Sequence, residues 1–181
     1  MNMVLNIGQK VAYPNQGVCL VEDIEKKQIG GNSMKFYALR VLSDNSTIFV
    51  PTDNAESVGI RPILDNKECK SLMQHLADDF TEVSNDWKVR SREFNEKLQS
   101  GDVFEAGDVL KKLTFLSHEK KLSFREQTLL DKAKFLIVSE IINAGLAKSE
   151  KNLEIKIETL IGNACEKHIE IQPTVAAAAG H

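Results

Sequence analysis

The chain has 181 residues, 42% apolar and 27% charged, with aromatics at only 6%, which is the usage of a globular protein with an aliphatic core. No apolar run is long enough to span a bilayer, and Met1-Asn-Met-Val-Leu-Asn-Ile7 lacks the basic-then-apolar order of a secretory signal, so a cytoplasmic location is expected. A net charge of −3 excludes a simple electrostatic coat for nucleic acid.

The first third reads as strands. Lys10-Val-Ala-Tyr13 is stopped by the turn cluster Pro14-Asn-Gln-Gly17. Val18 to Ile24 follows and ends in the polar stretch Glu25-Lys-Lys-Gln28. Gly30-Gly-Asn32 returns the chain along Met34 to Leu42, with Phe36, Ala38 and Arg40 on one face and Tyr37, Leu39 and Val41 on the other. Thr47-Ile-Phe-Val50, closed by Pro51, and Val58-Gly-Ile-Arg61 are the last short strands. So many short strands in about sixty residues predict a small, strongly bent SH3-like or Tudor-like barrel.

Near Pro62 the apolar period changes from two to 3.6. Asp65-Asn-Lys-Glu68 has the form of a capping box and opens a helix carrying Leu72, Met73, Leu76 and Phe80. Ser84-Asn-Asp86 caps a second, with Trp87, Phe94 and Leu98. A third starts near Asp102, and Ser123-Phe-Arg-Glu126 is another capping box before the longest apolar stripe, Leu129 to Ile141. A last helix carries Leu153, Ile157, Leu160, Ile161 and Ala164. The fold class is therefore α+β in two domains: a β domain over 1–64, a compact all-α domain over 65–167, and an unstructured tail over 168–181.

Catalytic patterns are absent from this sequence. It has no phosphate loop, no Gly-x-Ser-x-Gly elbow and no His-Glu-x-x-His pair, and its histidines at 75, 118, 168 and 181 are scattered. The three cysteines, Cys19, Cys69 and Cys165, lie at no metal-ligand spacing and read as isolated reduced thiols. A non-enzymatic protein with no cofactor and no metal is expected. Charge is uneven: residues 88–134 hold eleven basic groups against eight acidic, the one locally positive stretch and the place to seek phosphate contacts.

Three segments together resemble the CarD/CdnL family of bacterial RNA polymerase-binding transcription regulators: Gly8-Gln-Lys-Val-Ala-Tyr-Pro-Asn-Gln-Gly17 with the strand after it, Phe49-Val-Pro-Thr-Asp-Asn-Ala-Glu-Ser-Val-Gly-Ile-Arg61, and Asn85-Asp-Trp-Lys-Val-Arg-Ser-Arg92 running to Asp102. The resemblance spans about residues 6–162. It implies a Tudor-like domain that binds the polymerase β subunit and a helical domain that contacts promoter DNA at the upstream edge of the melted region. The gripping surface is then expected around Lys27, Arg40, Phe49 and Pro51. Some relatives hold an arginine where this chain has Phe49, which here either buries against the partner or fills the barrel.

Trp87, the only tryptophan, reads by residue type alone as a core anchor. Its place after a polar cap and before Lys88, Arg90 and Arg92 favours exposure, and a tryptophan at the matching position in the family inserts into the minor groove. The resemblance thus implies a wedge at Trp87 flanked by phosphate-holding Lys88, Arg90 and Arg92, with Lys132 and Lys134 as weaker candidates. DNA binding should be weak, largely sequence-independent and dependent on the tether. The competing expectation is an adaptor that binds polymerase without touching DNA. A monomer is expected, with a strand-swapped dimer as the alternative. The basic extension with Arg-Gly-Arg-Pro hooks of some wider relatives does not occur in this sequence.

Overall fold

Alternating apolar residues in the first third do form antiparallel strands. β1 (Lys10–Tyr13), β2 (Gly17–Ile29), β3 (Asn32–Val41), β4 (Thr47–Pro51) and β5 (Arg61–Pro62) make one sheet in the order β4-β3-β2-β1-β5. This is seen in a computed structural model that describes residues 3–178, with side chains through residue 172. Tyr37, Leu39 and Val41 of β3 join Val11, Val21 and Val50 in a core that Leu5, Ala55 and Ile60 close. The Leu5 amide donates to the Tyr37 hydroxyl at 3.1 Å, so the buried phenol has a partner. A bulge between Val21 and Asp23 bends β2, and the edge strands β4 and β5 do not pair with each other. The barrel is open.

Two boundaries differ from expectation. β2 does not end at Ile24 but runs to Ile29, paired with β3 as far as Asn32. Beyond the core this hairpin is largely exposed, so a polar stretch such as Glu25 to Gln28 suits both of its faces. Gly30 and Gly31, with φ of 58° and 81°, form the two-residue turn that matches strand twist. Val58 is not in a strand; it ends a one-turn helix, α1 (Ala55–Val58), and only Arg61–Pro62 pair with β1.

The helical half follows its caps. α2 (Asn66–Ala77), α3 (Trp87–Gln99), α4 (Val103–Glu119) and α5 (Phe124–Asn143) begin after Asp65, Asp86, Asp102 and Ser123, each of which accepts a backbone N–H of the first turn. Each such cap contributes about 1 kcal/mol. α4 is the central rod, with Val109, Leu110 and Leu113 buried. Its fully buried Lys111 donates to the carbonyls of His75 (2.7 Å) and Asp78 (3.2 Å), placing a cation at the C-terminal end of α2. The three cysteines are free and buried, and burial pushes each thiol up to about 11. No helix among the described residues is long and apolar enough to cross a membrane.

The expected tail over 168–181 is corrected through residue 178. α6 runs from Glu150 to Ala178, and residues 179–181 lie outside the described residues. His168 continues the buried line of Ile157, Ile161, Ala164 and Cys165. Its ring stacks on Phe80 at 4.1 Å and meets the edge of Phe115 at 4.9 Å. Its Nδ1 lies 2.7 Å from Asp79 Oδ1, so α6 holds the segment that follows α2.

A polar seam joins the two halves. The Arg61 guanidinium makes a two-pronged ion pair with Glu140 of α5, at 2.6 and 2.9 Å, and its Nε donates to the Gly101 carbonyl at 3.0 Å. The Leu64 amide adds a third hydrogen bond to Glu140, whose side chain is only 4% exposed. Beside this pair Pro14 fits between Gly59 and Gly101, where a Cβ would stand 3.1 and 3.0 Å from its Cγ. Both glycines also have positive φ, of 93° and 81°.

Glu126, the capping-box partner of Ser123, ties α3 to α5 by accepting from Arg90 Nη2 at 3.0 Å. Burial raises its carboxyl pKa, but hydrogen bonds from Ser123 and Arg90 and the charge of Lys120 outweigh this and bring it from 4.5 to about 2.

Two outcomes are expected. Glu140→Ala, which strands Arg61, should lower the free energy of unfolding by about 3 kcal/mol in urea, and Arg61→Met with Glu140→Leu should recover part of it. Unchanged urea midpoints would remove the seam from the stability argument. The depressed Glu126 group stabilises the fold above its unfolded pKa near 4.5 and loses that contribution as pH falls toward 2. Glu126→Gln should therefore flatten the acid limb of the stability profile by on the order of 2 kcal/mol; a limb identical to the parent's refutes the assignment.

Candidate functional site

Register alone places Lys27, Arg40, Phe49 and Pro51 on one face of the sheet. Lys27 stands opposite Met34, Phe36 opposite Pro51, Ala38 opposite Phe49 and Arg40 opposite Thr47, so these residues share the side away from Tyr37, Leu39 and Val50. Phe49 is 45% exposed and outside the core, which settles its position. The Lys27 ammonium sits 3.6 Å from the Phe49 ring centroid and 5.7 Å from that of Phe36. Arg40 is held by Glu22 and by Asn45 at 3.1 Å. Met34, 39% exposed, and Phe36 extend this apolar face toward the hairpin tip and were not singled out by sequence, although their alternation with Tyr37 and Leu39 carried the signal. β4 is also the outer strand, and its free edge has no paired strand among the described residues.

The second surface lies at the start of α3. Trp87 occupies the first helical turn after Asp86 and is 59% exposed, with Val89 exposed beside it. Phe94 and Leu98, farther along the same helix, are buried, so the bundle ends before the tryptophan is reached. Lys88 and Arg92 are exposed and carry no ion pair among the described residues. Lys88 Nζ lies 5.9 Å from the indole centroid.

Arg90 does not belong with them. It shares the spacing of Phe94 and Leu98, is 5% exposed, and donates to the Ser84 carbonyl at 2.8 Å and to Glu126. A phosphate cannot reach it without breaking this buried pair, so its role is to position the start of α3 against the start of α5. The helix it reaches begins with Phe124, 91% exposed, which sequence reading passed over as part of a capping box. Exposed Lys121 and Arg125 flank it. Lys132 and Lys134 lie two to three turns farther along α5, roughly 12–15 Å from Phe124 by helical rise. Burial lowers the Lys132 pKa, its ammonium lies 5.4 Å from the Phe135 ring centroid, and Lys134 pairs with Glu158 at 3.0 Å. The geometry therefore sets Trp87, Lys88 and Arg92 together at the start of α3 and exposed Phe124 at the start of the helix that Arg90 ties to it, and leaves these two lysines farther along α5. No group of three His, Cys, Asp or Glu side chains among the described residues could hold a metal ion.

Residues 5–64 match the CarD-like/TRCF RID domain family, and residues 71–158 match the CarD C-terminal domain family. Among curated proteins the chain is similar to "Putative transcription factor YdeB" of Bacillus subtilis (strain 168), 28% identical over 138 residues that cover 76% of this chain and 90% of that one. Among solved structures it is similar to the N-terminal domain of Myxococcus xanthus CarD determined by NMR, at 36% identity over 32% of this chain and 77% of that one, with a TM-score of 0.28. Matched in this order over both halves, the chain belongs to the CarD/CdnL family of transcription regulators.

Proposed function

We propose that the β domain grips the RNA polymerase β subunit so that the helical domain can stabilise the open promoter complex. In this reading Trp87 stacks where base pairing has already been lost, at the upstream edge of the melted region. One observation carries it: a lone tryptophan, 59% exposed on a capped helical turn, beside two exposed cations. An aromatic face replaces lost base stacking at about 1–3 kcal/mol per base, and only on DNA that is distorted. Such energy favours the open state over the closed one without reading sequence. Lys88 and Arg92 would hold phosphates and set the register, while Phe124 supplies a second aromatic face.

On the polymerase side, the cation-capped aromatics Phe49 and Phe36 and the free edge of β4 offer two complementary contacts. An edge strand can extend a partner's sheet through its backbone, and the adjacent side chains then select the partner. The few phosphate contacts predict weak DNA binding in isolation, which tethering through polymerase would raise by effective concentration. The exposed Val89 and Phe124 also suit an apolar protein partner, which favours the adaptor reading without DNA.

Trp87→Ala should shorten open-complex lifetime by about tenfold, inside the stacking range, while polymerase affinity and the unfolding midpoint stay at parental values. Equal lifetimes for variant and parent would count against the wedge and for the adaptor. Phe49→Ala combined with Lys27→Ala should weaken binding of the full chain to polymerase by about tenfold, with no loss of fold, since both side chains lie outside the core. Undiminished polymerase binding would move the grip elsewhere on the chain.

A further inference from the structure

Away from both surfaces, a groove of about 620 Å³ runs between α2, the α5–α6 turn and the first half of α6. Its floor is apolar, with Met73, Ala77, Leu146, Leu153 and Leu160 among its lining, and Leu146 is 40% exposed. Lys70, Lys148 and Lys156 stand around it, one from each of three elements, and no carboxylate lines it. All three lysines are exposed and form no ion pair among the described residues. Asp78, next along α2, is already engaged by Lys167 at 3.8 Å and Gln74 at 3.1 Å. A chain with 26 acidic groups against 23 basic ones thus sets three unpaired cations around one open apolar trough.

We propose that this groove docks an acidic amphipathic helix of a protein partner. Both walls are helices whose backbone groups are already paired, so the trough offers nothing to an added strand. A partner must bring a backbone satisfied within itself, with apolar side chains on one face. The α2 wall from Cys69 to Ala77 is ~12 Å long and the α6 wall from Ser149 to Leu160 is ~16 Å, the span of two to three helical turns. Carboxylates flanking the apolar stripe of such a helix would meet Lys70, Lys148 and Lys156, whose stems can lie along the apolar rim while the ammonium groups stay in water. A second copy of this chain is a poor occupant, because a self-complementary contact through this face would set lysine against lysine. The charges act mainly on encounter and partner choice, and the apolar floor on residence.

The experiment is an isotope-edited NMR titration of the full chain with a synthetic helical peptide about sixteen residues long, ~24 Å, carrying Leu on one face and Glu on the other. Saturable shifts confined to Met73, Leu146 and Leu160 are expected, weakening as salt rises. Lys70→Glu, Lys148→Glu and Lys156→Glu together should cut affinity at least about tenfold at low salt without altering the unfolding midpoint, since all three side chains are exposed. Several results would overturn the proposal: equal binding of a peptide with Lys in place of Glu, shifts centred on Trp87 or the sheet, or no saturation. Decanoate producing the same saturable shifts as the peptide would assign the groove to small amphiphiles instead. Self-association of the parent that Leu146→Asp abolishes would assign it to a second copy.

Discussion

The pair formed by Arg61 and Glu140 is the contact on which the arrangement depends. A carboxylate only 4% exposed is tolerable when its lone pairs are filled, and here two guanidinium hydrogens and the Leu64 amide fill them. Arg61 comes from the last strand of the sheet, Glu140 from α5, and the Gly101 carbonyl from the turn between α3 and α4. One side chain thereby registers three parts of the molecule. Without it, the two halves would still meet where Pro14 sits between two glycines, where Phe135 of α5 lies against Gly17, and where the Lys10 ammonium donates to the Asn143 carbonyl at 3.4 Å.

A fixed seam matters because each surface alone is modest. The β domain is electrically balanced and offers a cation over two aromatic rings beside an open strand edge. The helical domain offers one indole, one phenyl ring and a few free cations. Ion pairs at exposed positions contribute little in water, and single stacking contacts are worth only a few kcal/mol. On the proposed reading, holding both surfaces on one frame would turn two weak encounters into a single one whose second half is intramolecular. Arg90, buried between Ser84 and Glu126, ties the start of the helix that carries Trp87 to the same frame.

What could be read from sequence divides along the range of the interaction responsible. The capping boxes at Asp65 and Ser123 and the caps at Asp86 and Asp102 act within four residues, and each helix starts where its cap lies. Alternation in β3 likewise separated buried Tyr37, Leu39 and Val41 from the outer face. Long-range effects were less legible. A polar run at Glu25 to Gln28 reads as a loop, yet pairing with Ser33 to Phe36 makes it strand. Arg90 reads as a phosphate ligand among its cationic neighbours, although its spacing of four from Phe94 and eight from Leu98 pointed inward. The exposure of Phe124 depends on where the bundle happens to end, which no local pattern records. The C-terminal helix outlasts its expected end because a histidine takes an aliphatic place once Phe80 and Phe115 flank it.

That histidine ties the far end of the chain to its working edge. His168 clasps Asp79 and Phe80, the segment beyond them supplies the Ser84 carbonyl, and that carbonyl takes the inward arginine beneath the exposed indole. Residues more than eighty positions apart thus form a buttress for the helix start that carries this ring. Length in the last helix, which looks expendable in a one-dimensional reading, serves as scaffolding for a tip at the opposite end of the bundle's wiring.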